Sequence, residues 1–333
     1  WVGTDGTRQL IAAGGGDIFD ATAIGAATSL SGTFTNNRWQ TVQTENILLF
    51  FNGADQPQQY NGSTLSAANY TGITDDAELI GGTTHRTRLH LIQADTASVW
   101  YGGLSAVTGA LTVFNVSDVL TKGGYVQAVG TMQLDTGDGL DTHFCYISSE
   151  GEVLVYSGDY PGGTWALAAR LQIPRPIGRR CTLQLGRDLV IITEQGLIPI
   201  AQLMFKTSEQ SSYESISAKI DDAFRQAAEN WSSNFGWQVV NYHRGNMLVV
   251  NVPNRADASR QYVMNARTGA WCEFRGMNAT CWAVVDDELY FGGVDGGIVY
   301  KANSGTSDNG AVIDADIRQA FNYFDDRSGQ KQM

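Results

Sequence analysis

Three aspartates in the stretch DTGDGLD have the residue type and spacing of a metal site. Asp135, Asp138 and Asp141 recur at steps of three around Gly139, and carboxylate oxygens are the ligands that Ca²⁺ prefers. The D-x-[DN]-x-[DN]-G order of a calcium loop is absent, and no glutamate stands where it would complete the set. We therefore expect a solvated acidic loop, with a calcium site as the alternative, and we predict no metal and no other cofactor.

The histidines are the other side chains that could serve as metal ligands, or as acids and bases near neutral pH. None of the four lies in an HxH, HExxH or comparable spacing. A histidine among the alternating apolar residues of a strand is usually packed or half exposed. We expect this for His85, His90, His143 and His243.

Signatures of nucleophilic and phosphate-binding sites are also missing from the sequence. The chain has neither the GxSxG elbow of a serine hydrolase nor a GxxxxGK[ST] phosphate loop. Three consecutive glycines, Gly14 to Gly16, are not followed by the helix that a phosphate cradle needs, so we predict a hairpin turn there. The sequence accordingly predicts no catalytic and no cofactor-binding residue, and a protein that is not an enzyme.

One stretch approaches a motif of glycosidases. The run SGDYPGGTW, from Ser157 to Trp165, resembles the Asp-box S-x-D-x-G-x-x-W, but Pro161 stands at the glycine position and the tryptophan comes one residue late. Spacing alone cannot bring Arg175, Arg179 and Arg180 together as the arginine cluster that a sialidase needs. A glycan-binding or sialidase-like protein is therefore the alternative to a non-enzymatic role.

The four cysteines form no CxxC pair, and each lies beside apolar or aromatic residues. A disulfide framework is typical of shorter chains with denser cysteines. We therefore expect buried thiols in a reducing compartment for Cys145, Cys181, Cys272 and Cys281.

Composition limits the class of protein. The chain has 333 residues, 43% of them hydrophobic, with 38 glycines and 6 prolines, which favours many short strands joined by tight turns. Its net charge of −12 argues against a grip on nucleic acid, which depends on lysine and arginine. No window approaches 18 uninterrupted apolar residues, so we predict no membrane span. Because the chain begins with Trp1 and has no leader pattern, we expect it to be a piece of a longer protein.

A repeated phrase organises the chain: an apolar strand, then glycine or aspartate, then a second short apolar strand. The last copy, from Asp287 to Asn303, has a strand at Glu288 to Phe291 and a predicted positive-φ turn over the glycine-rich residues from Gly292 to Gly297. Asn52 and Gly53 give another copy its hairpin signal. The leading apolar residues of the seven copies are separated by 38, 41, 55, 45, 59 and 41 residues. They are Leu10, Leu48, Leu89, Phe144, Leu189, Leu248 and Leu289.

These intervals fit the roughly 40 to 50 residues of a four-stranded propeller blade, with insertions in the two long ones. A closed ring of blades also protects the sheet edges. We predict an all-β protein, a β-propeller with seven blades, and keep six or eight as alternatives. Seven tryptophans should then pack between blades, with a sugar-stacking platform as the alternative. They are Trp39, Trp100, Trp165, Trp231, Trp237, Trp271 and Trp282.

One helical insertion is predicted at about residues 211–232. Ser211 and Glu214 are spaced as a capping box. An apolar face follows at helical steps, and it must pack against its own propeller or against another subunit. Its residues are Ile216, Ile220, Phe224, Ala227 and Trp231. We assign residues 1–303 to the propeller and 304–333 to a linker and an outer strand, leading to a further domain that this chain does not contain.

Three phrases carry a family resemblance. They are FFNGADQPQQYNGST from Phe50, the run from Arg187 to Leu203 followed by the run from Ser215 to Pro253, and the closing phrase from Tyr262 to Asn303. Together they resemble tail nozzle or tail hub proteins of podovirus-type short-tailed bacteriophages, those similar to tail tubular protein B. The resemblance covers about residues 8–303, and the sequence departs from a full member in lacking both ends.

The resemblance implies a virion structural protein located in the tail and assembled in the host cytoplasm. Its propeller would be the docking and assembly scaffold of a ring-forming subunit, and six copies would surround the channel through which the genome leaves. The implied partners are further copies of the chain, portal or adaptor ring proteins above, and fibre, spike or plug proteins below. Genomic DNA would pass through without specific binding, which an acidic protein suits.

Overall fold

The computed structural model describes residues 1–135, 139–205, 215–255, 257–294 and 297–312. The chain divides into two compact units, Trp1–Ala302 and Asn303–Met333. In the described part of the second unit, Asp308 and Ala311 form an isolated antiparallel bridge. The strand predicted from Ala311 falls mainly outside the described residues.

Seven antiparallel sheets follow one another along the first unit and form a seven-bladed β-propeller, as the repeated phrase predicts. Blade 1 contains β1 Ile11–Gly14, β2 Asp17–Asp20 and β3 Thr28–Ser31. Blade 2 contains β4 Gln40–Thr44, β5 Ile47–Phe51, β6 Gln58–Tyr60 and β7 Leu65–Ala67. Two short strands, β8 Tyr70–Thr71 and β12 Gly109–Ala110, pair in parallel beside blade 3. Blade 3 contains β9 Leu79–His85, β10 Arg88–Gln93, β11 Ser98–Leu104 and β13 Thr112–Asn115.

The remaining four blades repeat the same meander. Blade 4 contains β14 Val126–Asp135, β15 Leu140–Ser148, β16 Glu152–Gly158 and β17 Trp165–Gln172. Blade 5 contains β18 Thr182–Leu185, β19 Asp188–Thr193 and β20 Gly196–Pro199. Blade 6 contains β21 Gln238–Tyr242, β22 Met247–Pro253, β23 Ser259–Asn265 and β24 Trp271–Phe274. Blade 7 contains β25 Ala279–Val285, β26 Glu288–Gly293 and β27 Val299–Ala302. Three 3₁₀ turns, Asp76–Glu78, Ala201–Phe205 and Ala218–Ile220, complete the unit together with helix α1, Asp221–Trp231.

The first strands of neighbouring blades contact one another in ring order and line the axis. They are β4, β9, β14, β18, β21 and β25. Because each blade is an antiparallel meander, its connections alternate between two ends of the ring. We call the end that holds the interblade connections the interblade end. The other, which holds the turns between first and second strands, is the hairpin end.

The repeated phrase corresponds to the second strand of each blade and the strand after it. In blades 2 to 7 all six leading residues of the phrase lie on a second strand. In blade 1 the turn after β1 lies at the interblade end, since Phe34 N donates a 2.8 Å hydrogen bond to Gly16 O from the connection to blade 2. Since a second strand ends at the interblade end, β1 occupies the second-strand position. It begins directly after Leu10, the leading residue of the first copy. Blade 1 therefore has its strands in positions two to four.

The backbone of the turn glycines confirms the turns expected at Gly14 to Gly16 and at Gly53. It contradicts the positive φ expected at Gly292 and Gly293. Gly15 (φ +61°), Gly16 (φ +88°) and Gly53 (φ +74°) have the left-handed backbone that a turn requires. Gly292 and Gly293 do not, because they continue β26 as extended residues, so the prediction of positive φ there was wrong. Positive φ occurs instead at Gly297 (φ +66°), and residues 295–296 lie outside the described range.

The helix is shorter than predicted. The α-helical residues begin at Asp221, and Ile216 lies in a turn whose N–H donates to Leu197 O at 3.0 Å. Ser211 and Glu214, the expected capping box, fall outside the described residues. Phe224 is fully buried, and its ring centroid lies 5.9 Å from that of Trp237 just ahead of blade 6. The helix thus packs against its own propeller, in the place after β20 where four-stranded blades have a fourth strand.

The first and last blades are joined by a charge pair at the hairpin end. Arg8 Nη1 lies 2.7 Å from Asp286 Oδ1 in the β25–β26 turn, and both side chains are exposed. The Trp1 indole N–H donates a 2.8 Å hydrogen bond to Asn46 O in the β4–β5 turn. The N-terminal residues therefore contact blades 2 and 7, between which blade 1 lies.

Candidate functional site

A cavity of about 470 Å³ opens on the ring axis between blades 3, 4 and 5. Its walls come from the first strands β9, β14 and β18. The polar lining consists of threonine and glutamine side chains from these three strands, at Thr83, Thr84, Thr131, Gln133, Thr182 and Gln184. None of the described residues lining it is ionisable. The cavity can offer hydrogen bonds to a small neutral molecule, but general acid–base catalysis needs a titratable group that its described lining does not hold.

A second candidate is a buried cluster of two histidines and aromatic rings between blades 3 and 4. His90 is fully buried and lies 4.6 Å from Phe144 and 6.2 Å from Trp165, centroid to centroid. His85, 2% exposed, has its ring 6.1 Å from that of His90, and its Nε2 lies 3.1 Å from Gly158 O. Among the described residues, neither ring nitrogen of His90 has a hydrogen-bond partner.

Burial decides the charge of this cluster. It lowers the pKa of His90 to about 3, with His85 and Arg88 adding to the effect. Burial also lowers the pKa of His85 from its usual value, partly opposed by the contact with Gly158 O. Both rings are therefore neutral at pH 7 and closed to solvent, which excludes them as a general acid for an external substrate. His85, His90 and the buried His143 confirm the expectation of packed strand histidines, whereas His243 is exposed after the end of β21, so the expectation was wrong for it.

One aspartate of the acidic loop, Asp141, forms an ion pair. Asp141 lies 2.9 Å from Arg86 Nη2, and Asp159 lies 2.5 Å from Arg86 Nη1. Arg86 belongs to the β9–β10 turn, so the two carboxylates join blades 3 and 4 at the hairpin end. Asp135 ends β14, and Asp138 lies outside the described residues. Within the described part of the chain, no group of three or more histidine, cysteine, aspartate or glutamate residues could hold a metal ion.

The stretch that resembles an Asp-box is the connection between β16 and β17. Asp159 N donates to Thr164 O at 2.8 Å, and Thr164 Oγ1 donates to the Asp159 carboxylate at 3.2 Å. The guanidinium of Arg88 lies 3.9 Å from the centroid of the Tyr160 ring. These contacts hold a turn at the rim of the hairpin end, away from the axis.

The three arginines considered from sequence separate into two places. Arg175 lies 2.7 Å from Glu150 and is committed to that pair. Arg179 and Arg180 lie at the interblade end of the axis, where Arg38 joins them. Sequence reasoning missed Arg38, since it is 141 residues from Arg179 and carries no local signal.

The cysteines and tryptophans behave mostly as core residues. Cys145 and Cys181 are buried, whereas Cys272 is exposed on β24 and Cys281 is half-buried, so the expectation of four buried thiols was wrong for these two. None of the four thiols forms a disulfide.

Trp39, Trp237 and Trp282 are buried, and the other four tryptophans named above are partly buried. Core packing therefore accounts for these rings better than a sugar-stacking platform does.

No helix within the described ranges has the length and apolar character of a membrane span. No protein-family model matches the chain, and no curated protein matches it in sequence. Known structures do match in fold.

A candidate 6-phosphogluconolactonase from Bacteroides uniformis has a TM-score of 0.51 at 13% identity, covering 86% of this chain and 90% of that one. YCF48 from Cyanidioschyzon merolae has a TM-score of 0.51 at 10% identity, covering 86% and 88%. A second candidate 6-phosphogluconolactonase, from Bacteroides fragilis, has a TM-score of 0.50 at 10% identity, covering 89% and 93%. This chain is a seven-bladed propeller. At such low identity the similarity shows the fold alone.

Proposed function

We propose that this chain is a virion structural protein, a subunit of the tail nozzle or hub of a short-tailed bacteriophage. In this proposal the propeller is a docking and assembly scaffold, and the chain is not an enzyme. Six copies form the ring, which contacts portal or adaptor proteins on one side and fibre, spike or plug proteins on the other. The genome passes through the ring without specific binding, and the protein is located in the tail.

The observation that carries the proposal is the apolar perimeter of the propeller. The outermost strand of each of three blades exposes one large apolar side chain: Val113 on β13 is 46% exposed, Leu167 on β17 is 41% exposed and Phe274 on β24 is 37% exposed. An outermost strand also presents backbone groups that have no partner within its own sheet. An open edge of this kind can pair with another chain, which suits a docking surface.

The axis supports the same proposal. Its cavity is lined by threonine, glutamine, glycine and aliphatic residues, and the histidines nearby are buried and neutral. Two of the similar structures carry the name of a candidate lactonase, so the fold itself is compatible with catalysis. The non-enzymatic role therefore rests on the chemistry of the described side chains.

The test is assembly of the complete subunit, co-expressed with its adaptor and fibre proteins and measured by mass photometry. We expect a ring of six copies. The variant Val113→Asp/Leu167→Asp/Phe274→Asp should lower the fraction in rings at least several-fold. The control variant Leu104→Asp changes an apolar side chain that is 68% exposed at the hairpin end and should assemble normally. A wild-type subunit that stays monomeric with its neighbours would contradict the proposal.

A glycan-binding or sialidase-like tail component is the second candidate. The observation in its favour is the group of arginines at the interblade end of the axis, since arginine binds acidic sugars. Saturable binding on a glycan array, or turnover of a sialoside, would support this candidate over the scaffold. No binding and no turnover would remove it.

A further inference from the structure

Three arginines lie where first strands begin at the interblade end. Arg38 lies just ahead of β4, and Arg179 and Arg180 lie just ahead of β18. Arg180 donates from Nη2 to Trp39 O at 3.0 Å and from Nη1 to Thr280 O at 3.3 Å. Its guanidinium therefore bonds to the backbones of blade 7 and of the segment entering blade 2. First strands line the axis, so these contacts place Arg180 on it.

The ring of Phe235 holds two of the three cations together. Phe235 lies just ahead of β21, with the guanidinium carbon of Arg38 5.3 Å and that of Arg180 5.0 Å from its centroid. The two guanidinium carbons are therefore at most about 10 Å apart. Arg179 points toward the β5–β6 turn, where its Nη1 would lie 3.2 Å from a Cβ placed on Gly53. Arg38 and Arg180 thus share one aromatic ring, and Arg179, next to Arg180 in the chain, lies beside the β5–β6 turn.

None of these three arginines pairs with a carboxylate in the described part of the chain. Seven other arginines lie within 4 Å of a carboxylate, namely Arg8, Arg86, Arg175, Arg225, Arg244, Arg260 and Arg275. No described carboxylate lies that close to Arg38, Arg179 or Arg180. Burial lowers the pKa of Arg180, opposed mainly by Cys281. Cations without a carboxylate partner repel one another when they lie close together, and an anion bound between them would replace that repulsion by attraction.

We propose that Arg38, Arg179 and Arg180 form a binding site for an oxyanion, a phosphate or carboxylate group, at the interblade end of the axis. Guanidinium groups suit this ligand because their N–H donors match two oxygens at once. Arg180 has five donors, of which two bond to backbone carbonyls and a further one contacts the Cys281 side chain. The role of Phe235 is to fix the directions of Arg38 and Arg180, and its 41% exposure leaves an apolar floor for the rest of an organic anion.

The site is tested by isothermal titration calorimetry of the complete chain with inorganic phosphate and, separately, with citrate, against sodium chloride at matched ionic strength. We expect saturable binding of at least one anion with a dissociation constant of about 1 mM. A response to phosphate alone assigns a phosphate ligand, and a response to citrate alone assigns a carboxylate ligand.

Single variants distinguish the site from general attraction of anions. Arg38→Ala and Arg179→Ala should each weaken binding by roughly tenfold or more, about 1.4 kcal/mol. Arg187→Ala is the matched control, because Arg187 is exposed in the β18–β19 turn at the hairpin end. The proposal is overturned if neither anion binds more than chloride does, or if the double variant Arg38→Ala/Arg179→Ala binds as the wild type does. It is independent of the scaffold role, which rests on the perimeter.

Discussion

Arg180 donates a 3.0 Å hydrogen bond to the carbonyl oxygen of Trp39, a residue 141 positions earlier in the chain. The same guanidinium reaches Thr280 O at the start of β25. One side chain from the connection between blades 4 and 5 therefore bonds to segments on the far sides of the ring. This links ring closure to a residue that belongs to no strand.

Replacing Arg180 should destabilise the ring. We expect Arg180→Met to lower the free energy of unfolding by about 1 to 3 kcal/mol, because two partly buried backbone carbonyls lose a charged donor. Urea denaturation followed by tryptophan fluorescence measures the change. Arg187→Ala, the exposed arginine at the hairpin end, should leave the midpoint unchanged. Equal midpoints for wild type and Arg180→Met would mean that these hydrogen bonds add nothing to ring closure.

Gly53 should be intolerant of any side chain. Its φ is +74°, and a Cβ there would lie 2.7 Å from Ile80 Cγ2. We expect Gly53→Val to cost about 1 to 3 kcal/mol of stability through strain and displacement of Ile80. Gly14 offers a control, since it has no positive φ and a Cβ on it would meet nothing within 4 Å. Gly14→Ala should melt with the wild type, and an equally harmless Gly53→Val would show that the turn can relax.

The architecture was predictable because it depends on a local pattern that recurs. Each copy of the phrase is a buried second strand followed by a turn and a third strand, so Leu48, Leu89 and Leu289 mark equivalent positions. Outer strands were harder to find, because one face of them is solvated and their apolar signal is weak. The start of the helix was misplaced, since Ile216 has helical spacing from Ile220 but bonds to Leu197 instead.

The candidate sites depend on distances that the sequence does not encode locally. Arg38 and Arg180 are brought to one ring by closure of the whole propeller, and His85 meets Trp165 only because blades 3 and 4 are neighbours. Turn glycines were judged correctly where φ must be positive, at Gly15 and Gly53. The prediction of positive φ at Gly293 was wrong, because glycine also occurs in extended strands where a neighbouring side chain comes close. At Gly293 that neighbour is Tyr300.

Stability should fall as the pH is lowered below 6.5. His90 has a pKa of about 3 in the folded protein and an ordinary value of 6.5, so between these values the unfolded chain binds a proton that the folded one does not. Lowering the pH from 7 to 5 should therefore cost about 2 kcal/mol from His90, and His85 acts in the same direction. Thermal unfolding between pH 7 and 4 measures the effect.

The variant His90→Phe separates this titration from the carboxylates of the chain. It keeps an aromatic ring in the cluster but removes the titrating group, so its stability should depend less on pH than that of the wild type. His243→Phe changes an exposed histidine and serves as the control. If His90→Phe and wild type lose stability in parallel on acidification, the buried ring is not the group that responds.

Helix α1 should behave as part of the propeller core. Phe224 is fully buried, and its ring lies 5.9 Å from Trp237 and 6.3 Å from Tyr262. We expect Phe224→Ala to cost about 3 to 5 kcal/mol, as for other buried aromatic residues. Glu229→Ala, on the exposed side of the same helix, should have no measurable effect in the same denaturation experiment. A small effect of Phe224→Ala would indicate that the helix detaches readily and is free to contact another subunit.

The central claim is that this propeller is a scaffold in a ring of identical subunits. An electron cryomicroscopy map of the complete subunit, assembled with its portal-side and fibre-side neighbours, tests it most directly. The account predicts six copies around one channel, with outermost strands such as β17 and β24 in contact with other protein. A map showing a lone propeller with a substrate bound in the axial cavity between blades 3, 4 and 5 would contradict it.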